Sequence, residues 1–199
     1  MTGVRTGLVA LSIWLAMPSG MADTGPAAGK PLEEQIAICG GCHGEDGNST
    51  QEAVPSLAGQ PPLAVTNQLI YFRERLRQSG IMTPQAQGLE DSAIQALADY
   101  YAAQPVASSS TTRDDTLYDQ GQGLASQHGC SSCHQPDYSG QRQMPRLAGQ
   151  REDYLNKAMK DYRDRRRGGP DTTMIEIMTG TPDEDIHALA HFLAHLEAD

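Results

Sequence analysis

Residues 39–49, "CGGCHGEDGNS", and 130–140, "CSSCHQPDYSG", decide how this chain is read. The chain has four cysteines in 199 residues, and all four fall in these two copies of C-x-x-C-H. In that pattern two thiols add to the vinyl groups of a porphyrin, and the adjacent imidazole reaches the iron. A redox disulfide also uses C-x-x-C, but it needs no following histidine. A zinc site pairs cysteines too, without this fixed order. Two copies that consume every cysteine predict covalent attachment of two haem c groups, one at Cys39 and Cys42 and one at Cys130 and Cys133.

The two copies extend well beyond the cysteines. "PSLAGQ" from Pro55 returns as "PRLAGQ" from Pro145, 90 residues later, and the cysteines themselves repeat after 91. "MTPQAQGLEDSAIQALADYY" from Met82 returns as "MIEIMTGTPDEDIHALAHFL" from Met174, 92 residues later. Three anchors in one order at a nearly constant offset indicate a duplicated domain of about 80 residues. Between the copies "QPVASSSTTR" is polar, rich in Ser and Thr and without helical periodicity, so it reads as a linker. The expected organisation is an N-terminal domain over 23–104, a linker over 105–113 and a C-terminal domain over 114–199.

Each copy reads as helical. "PLEEQIAIC" and "DTLYDQGQGLASQHGC" precede the motifs, and Leu117, Gly121 and Leu124 share one face of the second. Gly121 allows either close approach of another helix or a C-cap or bend. After each "LAGQ" a further helix is expected, over 62–77 and 151–167. A closing helix ends each copy. For the last one Thr181 is expected as N-cap, with Pro182 at the first position and Glu184 three residues after the cap. Its apolar stripe is Ile186, Leu189, Ala190, Leu193 and Leu196. No alternating pattern of a strand appears, so the fold class is all-α.

The axial ligands follow from the repeat. His43 and His134 complete the motifs and supply the proximal side of each iron. Met82 and Met174 each stand 12 residues before the equivalent isoleucines Ile94 and Ile186, and no other methionine pairs with a methionine. Met144, Met159 and Met178 match Val54, Leu69 and Ala86, which suits soft apolar filling. Met82 and Met174 are therefore the expected sixth ligands, since Met/His is an established haem ligation. The carbonyls of Pro55 and Pro145 are candidates to accept the other imidazole N–H; alternatively these prolines only begin the following turn.

Composition narrows the function. The formal charge is −10 and the pI near 4.9, which argues against nucleic acid and fits docking on basic protein surfaces. With 5% aromatic residues, 20 glycines and 12 prolines, core-filling side chains are few, and a cofactor would complete the interior. Arg5, the apolar run "LVALSIWLAM" and the small residues of "SGMA" read as a secretory signal over 1–22, cleaved near Ala22. The run is shorter than the roughly 20 residues of a membrane span, which disfavours an uncleaved anchor. The mature protein is expected in a periplasm.

Two clusters stand apart from the haem motifs. His187, His191 and His195 have the i, i+4, i+8 spacing of a metal site, but no acidic or cysteine partner is visible beside them in sequence, so a solvated helix flank is the preferred reading. "RDRRRGG" from Arg163 is the most basic stretch, suited to haem propionates, to an acidic partner or to an ordinary helix end.

Paired C-x-x-C-H motifs, repeated "P-x-L-A-G-Q", and a methionine ahead of each closing helix together resemble the dihaem cytochromes c4 over essentially the whole mature chain. The resemblance implies two tandem class I cytochrome c domains, each wrapped around one haem c, with His43, Met82, His134 and Met174 as iron ligands. It implies periplasmic electron transfer towards a terminal oxidase or reductase, through a membrane-bound oxidase or cytochrome complex, and is compatible with peripheral membrane association. An electron-accepting subunit of a periplasmic dehydrogenase is the alternative, and a haem peroxidase or sulfur-compound oxidase a more distant one. With no general base, nucleophile or substrate pocket in evidence, a carrier rather than an enzyme is expected. Two departures are visible: Thr181 stands where an apolar residue is usual, and the second motif continues "CHQPDYSG" where the first continues "CHGEDG".

Overall fold

The computed structural model describes residues 1, 3, 29–108 and 111–197. Apart from Met1 and Gly3, the expected signal segment and its cleavage point lie outside the described residues. The first repeat runs α1 (Leu32–His43), α2 (Pro62–Arg73), α3 (Met82–Ala86) and α4 (Asp91–Ala102). The second runs α5 (Asp115–Gln127), α6 (Ser131–His134), α7 (Glu152–Arg163), α8 (Thr173–Met178) and α9 (Asp183–Ala194). Among the described residues the only β-type pairing is an isolated bridge between Gln141 and Met144, so the all-α expectation holds. No described helix is long and apolar enough to cross a membrane.

In each repeat the closing helix is the hub. On α4, Ile94, Leu97, Ala98 and Tyr101 form a buried i, i+3, i+4, i+7 face against α1 and α2. On α9 burial goes further, taking in Ile186 and every residue from Ala188 to Ala194, because α5 and α7 both pack on it. Gly121 settles the two readings of α5 in favour of close approach. A β-carbon there would lie 2.1 Å from the Ala188 carbonyl oxygen and 2.6 Å from Phe192 Cβ. Asp114 caps α5, accepting from the N–H groups of Thr116 and Leu117 at 2.8 and 3.1 Å. Tyr118 and Tyr138 both meet Phe192 edge-on, with centroids 5.0 and 5.6 Å away.

Helix ends differ from expectation at α9, α2 and α7. Thr181 does not cap α9: the helix starts at Asp183 behind Pro182, and the buried Thr181 Oγ1 has no hydrogen-bond partner. The pre-helix backbone is extended at Pro182 (φ −61°, ψ 158°). The Ile186 N–H closes the first helical turn on the Pro182 carbonyl, which makes Pro182 the capping position. Helices α2 and α7 stop at Arg73 and Arg163, four residues short of the expected ends. In both, the chain turns through a left-handed arginine two residues on, Arg75 (φ 58°) and Arg165 (φ 57°). The turn ends the helix and sends Arg77 and Arg167 inward.

Candidate functional site

The two motif histidines are buried in matching settings. His43 ends α1 and His134 ends α6, exposed by only 6% and 5%. His43 Nδ1 lies 2.8 Å from the Pro55 carbonyl oxygen and His134 Nδ1 lies 2.8 Å from that of Pro145. A carbonyl only accepts, so Nδ1 carries the hydrogen in both rings and Nε2 keeps its lone pair. The prolines after the motifs are thus imidazole acceptors. Burial lowers both imidazole pKa values, against the opposing pull of the proline carbonyls.

None of the four cysteines is paired in a disulfide. Burial raises the pKa of Cys39 and Cys130, the first cysteine of each motif. Each of these has a tyrosine beside it: Tyr101 from α4 at Cys39, and Tyr138 from the loop after α6 at Cys130. The donor chemistry suits haem c at both places: a pair of cysteines, and an imidazole whose Nε2 is left free to bind iron. Met82 opens α3 and Met174 lies in the first turn of α8, both half-buried and each delivered by the loop leaving the preceding long helix. Met159 and Met178 are core residues, as expected of filler, and Met144 is half-buried in the Gln141 bridge.

The methionine loops are anchored alike. Arg73 Nη1 donates to the Leu89 carbonyl (2.9 Å) and to Asp91 (2.7 Å). Arg163 Nη1 donates to the Thr181 carbonyl (3.1 Å) and to Asp183 (2.5 Å). The arginine run is therefore no bare basic patch. Arg163 and Arg166 are paired with Asp161, Asp164 and Asp183. Arg167 turns inward to donate to the Tyr154 hydroxyl at 3.0 Å. Burial pushes the Tyr154 phenol up, but Arg167 and Arg77 outweigh it and bring its pKa to about 8.

Reciprocal contacts join the repeats. Gln150 accepts from the Ser56 N–H and donates to the Ser56 carbonyl, both at 2.8 Å. Gln60 does the same to Arg146, both at 3.0 Å. Asp153 accepts from the Ala53 N–H at 3.0 Å, and Arg151 donates to the Ser49 carbonyl at 3.0 Å.

The histidines of α9 find the acidic partner that sequence spacing did not reveal, because Glu152 belongs to α7. His191 is buried, with Nε2 accepting from the Asp114 N–H at 2.9 Å and Nδ1 donating to Glu152 at 3.1 Å. Donor atoms of Glu152, His191 and His195 lie within 4.8 Å of one another, yet both nitrogens of His191 are committed to hydrogen bonds. The cluster ties α9 to α7 and to the start of α5.

Comparison with known proteins gives concordant results. A family model for cytochrome c matches residues 118–197. Cytochrome c4 of Thiocapsa roseopersicina is 32% identical over 183 residues, covering 86% of this chain and 95% of that protein. The thiosulfate dehydrogenase electron acceptor of Thiomonas intermedia is 29% identical, over 85% of this chain and 83% of its own. The structure of reduced recombinant cytochrome c4 from Pseudomonas stutzeri superposes with a TM-score of 0.76 at 28% identity, covering 83% of this chain and 97% of that one.

Proposed function

The chain belongs to the cytochrome c4 family, and from that premise we propose that it is a periplasmic dihaem carrier passing electrons singly between redox proteins. One observation carries the reading: the same histidine, proline carbonyl and paired thiols occur twice, in repeats docked by reciprocal glutamines. We place the domains at 23–104 and 114–199, joined by 105–113, with a cleaved signal ahead of them.

Each haem c, when bound, supplies one reversible one-electron couple at its iron. The chain's residues hold and tune it. Cys39 and Cys42, and Cys130 and Cys133, would fix the two macrocycles covalently. His43 and His134 would present Nε2 to the iron, their rings held by the proline carbonyls. Met82 and Met174 would take the sixth position, a ligand choice that raises the potential. A histidine and a methionine given to each iron would leave no ligand position for a substrate, which favours a carrier over an oxidase or peroxidase.

The optical spectrum of the oxidised holoprotein tests this. Two haems per chain are expected, with a far-red sulfur-to-iron band that Met82→Ala and Met174→Ala each reduce by roughly half, and little uptake of carbon monoxide on reduction. A high-spin iron that binds carbon monoxide readily in the unsubstituted protein would put a haem enzyme first. Similarity to the Thiomonas electron acceptor supports a second reading, a subunit serving a periplasmic dehydrogenase. Stable co-purification with a dehydrogenase would favour it over a mobile shuttle to an oxidase.

A further inference from the structure

The glutamines that dock the repeats bind one particular peptide group in each. The C=O of Pro55 and the N–H of Ser56 belong to the same planar amide. His43 Nδ1 donates to that C=O at 2.8 Å, and that N–H donates to Gln150 Oε1 at 2.8 Å. The second repeat mirrors it: His134 Nδ1 donates to the Pro145 carbonyl at 2.8 Å, and the Arg146 N–H of the same amide donates to Gln60 Oε1 at 3.0 Å. Each motif histidine is therefore connected, through a single amide, to a glutamine of the opposite repeat. Both glutamines are buried, at 7% (Gln60) and 5% (Gln150) exposure, and each also holds the next carbonyl through Nε2.

We propose that Gln150 and Gln60 are crossed positioning residues: each tunes the haem of the other repeat through the peptide group that accepts from its histidine. The inference rests on the reading of His43 and His134 as iron ligands. The physical chain is short. An amide whose N–H is hydrogen-bonded is more polarised, so its oxygen is a stronger acceptor. A stronger acceptor at Nδ1–H makes the imidazole a better electron donor and stabilises the more positive iron. Gln150 thus holds the potential of the first-repeat haem down, and Gln60 that of the second. The arrangement also makes each potential sensitive to how the repeats are docked.

The test is redox titration of the holoprotein followed by paramagnetic NMR, which separates the two haems. Gln150→Leu is expected to raise the first-repeat haem by about threefold in the iron's redox equilibrium, about 28 mV for one electron. The second-repeat haem should stay in place, and Gln60→Leu should reverse the pattern. Gln150→Asn, which keeps the amide on a shorter arm, should give a smaller shift of the same sign at the same haem, and it serves if the leucine variant does not fold. Asp153→Ala is the docking control, since it removes the Ala53 contact without touching either amide. Shifts confined to the haem of the substituted repeat, equal shifts of both haems, no shift, or the same shift in Asp153→Ala would each overturn the proposal. Haem content and the sulfur-to-iron band are read on the same samples. Intact ligation with uncrossed potentials sinks the relay alone, whereas a parent protein without histidine ligation sinks the ligation reading and the relay with it.

Discussion

The ring of Tyr101 fills the space that a side chain on Gly47 would need: a β-carbon there would lie 2.7 Å from Tyr101 Cδ1. The second repeat solves the same packing problem in reverse. Tyr138 stands at the position of Gly47, each accepting on its carbonyl from the N–H groups of the "LA" pair, Leu57 and Ala58 or Leu147 and Ala148. Leu193 stands at the position of Tyr101, each accepting from the glycine N–H that follows, Gly59 or Gly149. One large ring is supplied by the closing helix in one repeat and by the motif loop in the other, and both end beside the first cysteine.

This exchange predicts strong coupling between the two sites. Gly47→Tyr alone should destabilise the first repeat by about 3 kcal/mol, since it overpacks the site against Tyr101. Tyr101→Leu alone should cost roughly 2 kcal/mol through the cavity it leaves. The double variant Gly47→Tyr/Tyr101→Leu copies the second repeat and should recover most of the loss. Denaturant unfolding of the four proteins gives the cycle, and additive effects would contradict the exchange.

The residue after each motif histidine adopts a conformation that suits glycine. Gly44 has φ 85° and ψ 145°, and the equivalent Gln135 has φ 75° and ψ 158°. A side chain in this region costs about 1–3 kcal/mol. Gln135→Gly should therefore stabilise the protein by about 1 kcal/mol, or roughly 2–4 °C in melting temperature. Gly44→Ala should do the opposite, with its β-carbon 2.4 Å from the Asn48 carbonyl oxygen. Differential scanning calorimetry of the holoproteins decides; a lower melting temperature for Gln135→Gly would remove strain as the explanation.

Much of this was legible in the sequence because haem attachment is written locally: two cysteines and a histidine must be adjacent, and a duplication repeats them at a fixed offset. The helices ahead of the motifs, those after each "LAGQ" and the closing helices all appear near their expected positions. What escaped depends on the partner surface. "P-x-L-A-G-Q" served as a marker of the repeat, but nothing in it says that Gln60 and Gln150 bind across to the other copy. Glu152 is 39 residues from His191 and meets it only because α7 packs on α9. Thr181 has the composition of a cap, yet the chain enters α9 one residue later, leaving its hydroxyl buried without a partner.

Two glycines of α5 should respond in opposite directions to the same substitution. Gly121→Ala drives a β-carbon to 2.1 Å from the Ala188 carbonyl oxygen, so α5 must move off α9, at about 3 kcal/mol or more. Gly123 has nothing within 4 Å of its would-be β-carbon. Gly123→Ala should gain about 0.5–1 kcal/mol from helix propensity alone. Chemical denaturation monitored by circular dichroism checks both, and equal effects would mean that the helix crossing does not depend on Gly121.

Acid should weaken the anchor of the Met174 loop. Hydrogen bonds from Arg163 and then Lys160 hold the Asp183 carboxyl down at about 2, from an ordinary 3.8. A carboxylate depressed on folding contributes stability that is complete above its unfolded pKa and is lost as pH falls through the folded one. The Asp183 contribution is thus present at neutral pH and disappears between about pH 4 and pH 2. Asp183→Asn should be less stable than the parent at pH 6, with the gap closing over that window. Because the Asp183 side chain is 61% exposed, the gap should be small and should shrink further as salt is added. Thermal melts at pH 6, 4 and 2.5, each at low and high salt, measure it, and a gap that does not change with pH would show that the pairing with Arg163 adds nothing to stability.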